Sequence, residues 1–199
     1  MGKKNQFKIQ TIVFHSSHGP NSKIPENPSM PQVAFTGRSN AGKSSLINAI
    51  VNRKDLVKVS SNPGKTKSIN LFLLNDHLFL VDLPGFGYAK ASKEQRDTMI
   101  ESIHHYLNGT ETLKALFVLC DAKRELPEDE IEMIKTAYVR GMIPVLVRTK
   151  VDKLNQKELL SLKNEMKGLA KEYPNLEIIL SSTKSMAGIE VLRKILLDF

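Results

Sequence analysis

The stretch Gly37-Arg38-Ser39-Asn40-Ala41-Gly42-Lys43-Ser44-Ser45 constrains this chain more than any other. It satisfies G-x-x-x-x-G-K-[ST], a loop whose backbone N–H groups converge on phosphate oxygens. Gly37 and Gly42 let the backbone curl where a Cβ would collide. Lys43 is placed to reach β- and γ-phosphates, and the Ser44 hydroxyl to hold Mg2+. The flanks agree. Val33-Ala34-Phe35 has the apolar run of a short buried strand, and Ser45 to Ile50 reads as the helix leading out. The helix N-terminus then adds partial positive charge beneath the phosphates. A glycine turn before a capped helix is the plain alternative, and the rest of the chain weakens it.

Downstream, apolar runs alternate with helical patterns. Ile9 to Phe14 is compatible with a strand, whereas His15 to Pro31 carries four prolines and reads as a connecting loop. Ile69 to Leu74 and His77 to Asp82, joined by Asn75-Asp76, form a β-hairpin. Ser92 and Gln95 spell a capping box before an apolar face of Met99, Ile100, Ile103, Tyr106 and Leu107. Lys114 to Cys120 and Val145 to Val147 read as buried strands. Between them a helix has Pro127 at its first position and closes at Gly141. A further helix after Asn155 shows Leu159, Leu162, Met166 and Leu169 on one face, then come a strand at Glu177 to Leu180 and a helix at Ile189 to Leu197. The expectation is one α/β domain over residues 1–199, with residues 1–8 frayed. Its sheet is six-stranded and mostly parallel with one antiparallel strand, and helices cover both faces.

Three further motifs carry chemistry. Asp82-Leu83-Pro84-Gly85 ends a strand 38 residues after Ser44. There Asp82 can hold Mg2+ through water, and the Gly85 N–H can meet a γ-phosphate. Thr149-Lys150-Val151-Asp152 ends another strand. The Asp152 carboxylate can accept N1–H and the 2-amino hydrogens of guanine, a donor pair that adenine lacks, so adenine would leave the charge unpaired. The Lys150 stem can lie against the base. Ser182-Thr183-Lys184 ends the last strand, where a backbone N–H near Thr183 can donate to guanine O6. Between loop and hairpin, Gly64-Lys65-Thr66 offers a threonine that holds Mg2+ only while a γ-phosphate is present, and Thr66 is preferred over Ser60, Ser61 and Ser68.

Net charge is +8 and the predicted pI about 9.5. This balance suits nucleic acid or an RNA-rich particle, although a generally basic surface explains it equally well. The lysines and arginines are spread along the sequence and mark no single patch. One cysteine, Cys120, excludes an intramolecular disulfide and reads as a buried structural thiol. No apolar stretch approaches a membrane span of about 20 residues. Without a signal-peptide pattern at the N-terminus, the cytoplasm is the expected location.

In this order, the phosphate loop, Thr66, Asp82 to Gly85, Thr149 to Asp152 and Ser182 to Lys184 resemble a translation-factor-class GTPase of the Ras-like fold. More narrowly, Gly37 to Asn48, Pro63-Gly64-Lys65-Thr66 and Asp82-Leu83-Pro84-Gly85-Phe86-Gly87-Tyr88-Ala89 look like the EngB (YihA/YsxC) family. The resemblance runs from about Pro31 to the end. It implies a protein that binds GTP and GDP with Mg2+ and assists assembly of the bacterial large ribosomal subunit through rRNA or ribosomal protein; the oligomeric state stays open, with a monomer the default. It also implies a need for the protein in normal cell division and septation. Val151 departs from the small residue usual at its place, which makes no expected base contact. Phe86 stands where Ras-like switches carry a water-orienting glutamine, so hydrolysis should be slow. Asn40 either matches the asparagine by which related GTPases bind K+, joining Lys43 and Thr66 in catalysis, or only shapes the loop. The rival readings are a P-loop ATPase or nucleotide kinase, and a constitutive RNA-binding scaffold that keeps a nucleotide fold.

Overall fold

A computed structural model of the chain describes residues 8–19, 22, 24, 30–57, 68–87 and 92–199. In chain order these form strand β1 (Ile12–His18), β2 (Gln32–Gly37), helix α1 (Lys43–Ile50), β3 (Ile69–Leu74), β4 (Leu78–Asp82) and α2 (Lys93–Gly109). They continue with β5 (Leu113–Asp121), α3 (Glu128–Val139), β6 (Ile143–Thr149), a 3-10 turn at Val151–Lys153, α4 (Gln156–Glu172), β7 (Glu177–Leu180) and α5 (Ile189–Leu197).

The strands make one sheet in the order β1-β3-β4-β2-β5-β6-β7. Only β3 runs against the others, antiparallel to both β1 and β4. The sheet therefore has seven strands and not six, because β1 joins its edge. Residues 15–18, expected in a loop, are strand. Their serines and histidines hide the alternation, and the register slips between Phe14 and Ser16. The hairpin turn fixes this strand. Asn75 and Asp76 adopt φ of 48° and 61°, and the Asn75 side chain accepts from the N–H groups of Gln10 and Thr11 at 2.8 and 3.1 Å.

Alternation along buried strands divides the core between two faces. On β5, Ala115, Phe117 and Leu119 join Phe35, Leu46, Ile47, Leu192 and Leu196 beneath α1 and α5. Leu116, Val118 and Cys120 face Ile103, Leu107, Met133 and Ile134 of α2 and α3 on the other side. The expected capping box is present at Ser92–Gln95, and a second, between Asn155 and Glu158, starts α4. Pro127 caps α3 from extended backbone and is not its first helical residue. Arg193 on α5 donates to the Ile50 and Ala49 carbonyls at 2.7 and 3.3 Å, satisfying the C-terminal end of α1. On α4 only Leu162 of the expected apolar face is buried, since that helix lies by the β7 edge of the sheet.

A buried acid lacks a full set of partners. Glu130, in the first turn of α3, is 1% exposed, and its Oε2 has no hydrogen-bond partner. Burial pushes its carboxyl up to about 7, against the opposing pull of the Arg38 guanidinium. A folded value above the unfolded 4.5 means that the native state binds the extra proton between the two values. The protonated group's contribution is then complete below about 4.5 and is lost as pH rises through about 7. Glu130→Gln should flatten unfolding free energy across that window and raise it above wild type at about pH 8. Urea titrations of both proteins at several pH values check this, and a wild type with no decline across the window would refute it.

Candidate functional site

The parallel strands all deliver their carboxyl ends to one rim, and the sequence-selected residues stand there in a row. Gly37 ends β2, Asp82 ends β4, Thr149 ends β6, and Ser181 and Ser182 follow β7. Open α/β sheets bind ligands beyond these ends. A Cβ on Gly37 would lie 2.6 Å from the Leu119 carbonyl oxygen, so the loop leaves the sheet where only glycine fits. Gly42 turns into α1 with φ of 91° and supplies no capping side chain. The N–H groups of Lys43, Ser44 and Ser45 therefore have no acceptor within the helix, and the first turn holds no acid to compete for them.

The loop is tied down from three sides. Ser39 N–H donates to the Phe86 carbonyl at 2.8 Å, and Phe86 N–H donates back to Gly37 at 3.3 Å, joining the loop to Leu83, Pro84 and Gly85. Thr149 Oγ1 donates to the Ala41 carbonyl at 2.6 Å from a buried position. Lys150, in left-handed backbone with φ of 61°, extends its ammonium to the Asn40 carbonyl at 2.6 Å and Asp121 Oδ2 at 2.9 Å. The Lys150 head thus clamps the phosphate loop while its stem passes Gly42. Asn40 itself is exposed with φ of 69°, a conformation that asparagine tolerates well.

Lys43 and Asp82, read separately in the sequence, are ion-paired here, and Asp82 is 1% exposed. At the other end of the rim, Ser182 Oγ donates to Asp152 Oδ1 at 2.6 Å and accepts from the N–H groups of Lys184 and Ser185 at 3.1 Å each. Asp152 and Thr183 are exposed, so the charge penalty against adenine arises only once a base covers the carboxylate. Val151 is half-buried and uses its N–H on Ser181. Arg38 reaches toward Asp129 at 3.8 Å. Gly64, Lys65 and Thr66 lie outside the described residues. Asn48 holds Val57 through two hydrogen bonds of 2.9 Å at the near end of that stretch.

Phe86 is 1% exposed and packs into the core, so its side chain takes no part on the rim. Cys120 is buried as expected, and burial pushes its thiol up to about 11. Two contributors escaped the sequence reading. Asp121 ends β5, and although burial opposes its ionisation, hydrogen bonds from Lys150 and the Lys123 N–H hold its carboxyl below the usual range. Arg148, 1% exposed, donates to Glu165 at 3.1 Å and to the carbonyls of Ala122 and Arg124, fixing the loop after Asp121. Neither belongs to a short motif. The available signal was an acid at a strand end and an arginine closing an apolar run.

Among the described residues no group of three or more His, Cys, Asp or Glu side chains forms a metal cage. One buried carboxylate beside a helix-start hydroxyl is instead what Mg2+ uses when phosphates and water complete its shell. The donor set of Asp82 and Ser44 fits that mode.

Residues 32–150 match the family model described as 50S ribosome-binding GTPase. A "probable GTP-binding protein EngB" from Leptospira biflexa is 43% identical over 171 residues, covering 85% of this chain and 80% of its own. Its counterpart from Clostridium kluyveri is 40% identical over 194 residues, covering 98% and 94%. Among solved structures, a probable GTP-binding protein engB superposes with a TM-score of 0.67 at 23% identity, over 83% of this chain and 97% of that one. Aquifex aeolicus Era bound to GDP and aluminium fluoride gives 0.63 at 24% identity, over 86% and 57%. The fold is that of the Ras-like GTPases, and the chain belongs to the EngB family of GTP-binding proteins.

Proposed function

We propose that residues 1–199 work as one cytoplasmic GTP-binding domain, which hydrolyses GTP slowly and uses its bound state to time contact with an immature large ribosomal subunit. The observation that carries this reading is the single rim on which the phosphate loop, Asp82 and the Asp152–Ser182 pair meet, tied together through Thr149 and Lys150. The family model's description names a ribosome-binding GTPase, and a structurally similar Era was crystallised with a segment of 16S ribosomal RNA. The role in cell division and septation follows from the same family reading.

On GTP binding, Lys43 exchanges Asp82 for the β- and γ-phosphate oxygens, so one charge pair replaces another inside the site. Ser44 and, by its place in the sequence, Thr66 are the hydroxyl ligands for Mg2+, and Asp82 serves through water. Mg2+ supplies neutralisation of the phosphate charge. Asp152 and a backbone N–H near Thr183 read guanine. Phosphoryl transfer depends on positioning and charge more than on a protein base, so the buried Phe86 slows hydrolysis without abolishing it.

Asn40 lies at the exposed turn of the loop, where its side chain can help a K+ ion offset charge developing on the phosphates. With GTP and Mg2+ fixed, turnover should be faster in KCl than in NaCl and the difference should shrink in Asn40→Ala. Equal turnover of wild type in the two salts would leave Asn40 a loop-shaping residue only.

The ribosomal reading is tested by co-sedimentation with ribosomal particles in GDP, in a non-hydrolysable GTP analogue and without nucleotide. Retention on large-subunit particles only with the analogue, lost in Lys43→Ala, is the expected result. Equal retention in all three, indifferent to Lys43→Ala, would establish the constitutive scaffold.

A further inference from the structure

The lysines that look scattered in the sequence are gathered by the fold. At about 100° per residue, Lys157, Lys163, Lys167 and Lys171 of α4 fall in one sector, with Leu160 and Asn164 among them. All six are exposed, Leu160 to 62%. The three glutamates of the helix lie on the opposite flank at seven-residue intervals. Glu158 closes the capping box there and Glu165 pairs with Arg148. No acid stands three or four positions from any of the four lysines. Among the described residues none of the four is in an ion pair.

This arrangement works against the helix. Lys163–Lys167 and Lys167–Lys171 are like-charged i,i+4 neighbours, which repel. Gly168, beside them in mid-helix, costs further stability, yet a Cβ there would meet nothing within 4 Å. Packing inside the protein explains neither feature. Both make sense against an extended anion that neutralises the lysines and comes close to bare backbone.

We propose that this face of α4 docks on the phosphate backbone of an RNA duplex. Successive i,i+4 ammonium groups lie about 6 Å apart along the helix axis, on the scale of neighbouring phosphates on a strand. Lysine is a point charge without the planar fork that reads base edges, so the contact is independent of sequence. The face carries no aromatic side chain on which unpaired bases would stack, which favours a duplex over a single strand. One exposed leucine is too little apolar surface for a membrane interface. The proposal rests on the ribosomal reading above, and for the particle partner it commits to RNA over ribosomal protein.

The test is anisotropy of a labelled RNA duplex of two helical turns, titrated with the full chain in GDP over a salt series. The Gln variant of all four residues (Lys157, Lys163, Lys167 and Lys171) should lose more than about tenfold in affinity, and its slope against log salt should shrink by about 3. The corresponding Arg variant, which keeps the charge, should bind within about threefold of wild type. So should a control with Lys54, Lys93, Lys114 and Lys135 changed to Gln, which has the same net charge as the first variant. Circular dichroism and GDP affinity, read in parallel, should be unchanged in all of them. No duplex binding by wild type would overturn the proposal, as would equal losses in the two Gln variants or loss confined to phosphatidylserine vesicles. Absent GDP binding with intact RNA binding would instead refute the nucleotide reading and leave this one standing.

Discussion

A loop that turns its N–H groups inward to grip phosphate must turn carbonyl oxygens outward, and these need donors of their own. Here the donors come from across the sheet. Thr149 Oγ1 holds the Ala41 carbonyl and Lys150 Nζ holds that of Asn40. Thr149 ends β6 and Lys150 follows it, two strands away from β2 and joined to it through β5. The β2–β5–β6 register thus sets the position of the phosphate cradle, and the residues that introduce the guanine-reading loop also brace the phosphate loop. Asp121 completes the clamp by neutralising the second side of the Lys150 ammonium.

The same economy explains the Lys43–Asp82 pair. A lysine with little exposure and an almost fully buried carboxylate are costly to desolvate singly, and as a pair each offsets the other's charge. A phosphate taking Lys43 would exchange one anionic partner for another and would not meet an isolated buried cation. On the far side, hydrogen bonding between Asp152 and Ser182 orients the carboxylate with a neutral hydroxyl, which leaves its charge available to a base.

Much of the site was legible because each motif carries its own mechanism and falls at a strand end. The phosphate loop, Asp82, Thr149, Asp152 and Ser182 needed only spacing and flanking hydrophobicity to be placed. The cross-links between them were not legible. Nothing in the sequence says that Lys150 spends its ammonium on Asn40 and Asp121, because those contacts span 110 and 29 positions and are made by strand order. β1 was missed in part for a similar reason. It is an edge strand whose exposed Val13 and Phe14 and polar second half break the period-2 pattern, and a turn asparagine more than sixty positions away determines where it sits. Arg148 belongs to no motif, yet it is a buried tether between the Ala122–Arg124 loop and α4.

That tether explains how α4 stays folded with one fully buried side chain and a face of mutually repelling lysines. The capping box satisfies its N-terminal donors, Glu158 there and Lys171 in the last turn both favour the helix dipole, and Glu165 pins its middle to the core through Arg148. Each of these supports uses the inner flank or the ends of the helix. Lys171 apart, none uses the outer face, so Lys157, Lys163 and Lys167 are free of structural duty. The turn that carries Asp152 leads into the same helix: Asp152 lies in the 3-10 turn at Val151–Lys153, three residues before the Asn155 cap. Asp152 and the lysine face thus belong to one short continuous segment, braced before Asp152 by Lys150 and at the middle of α4 by Arg148.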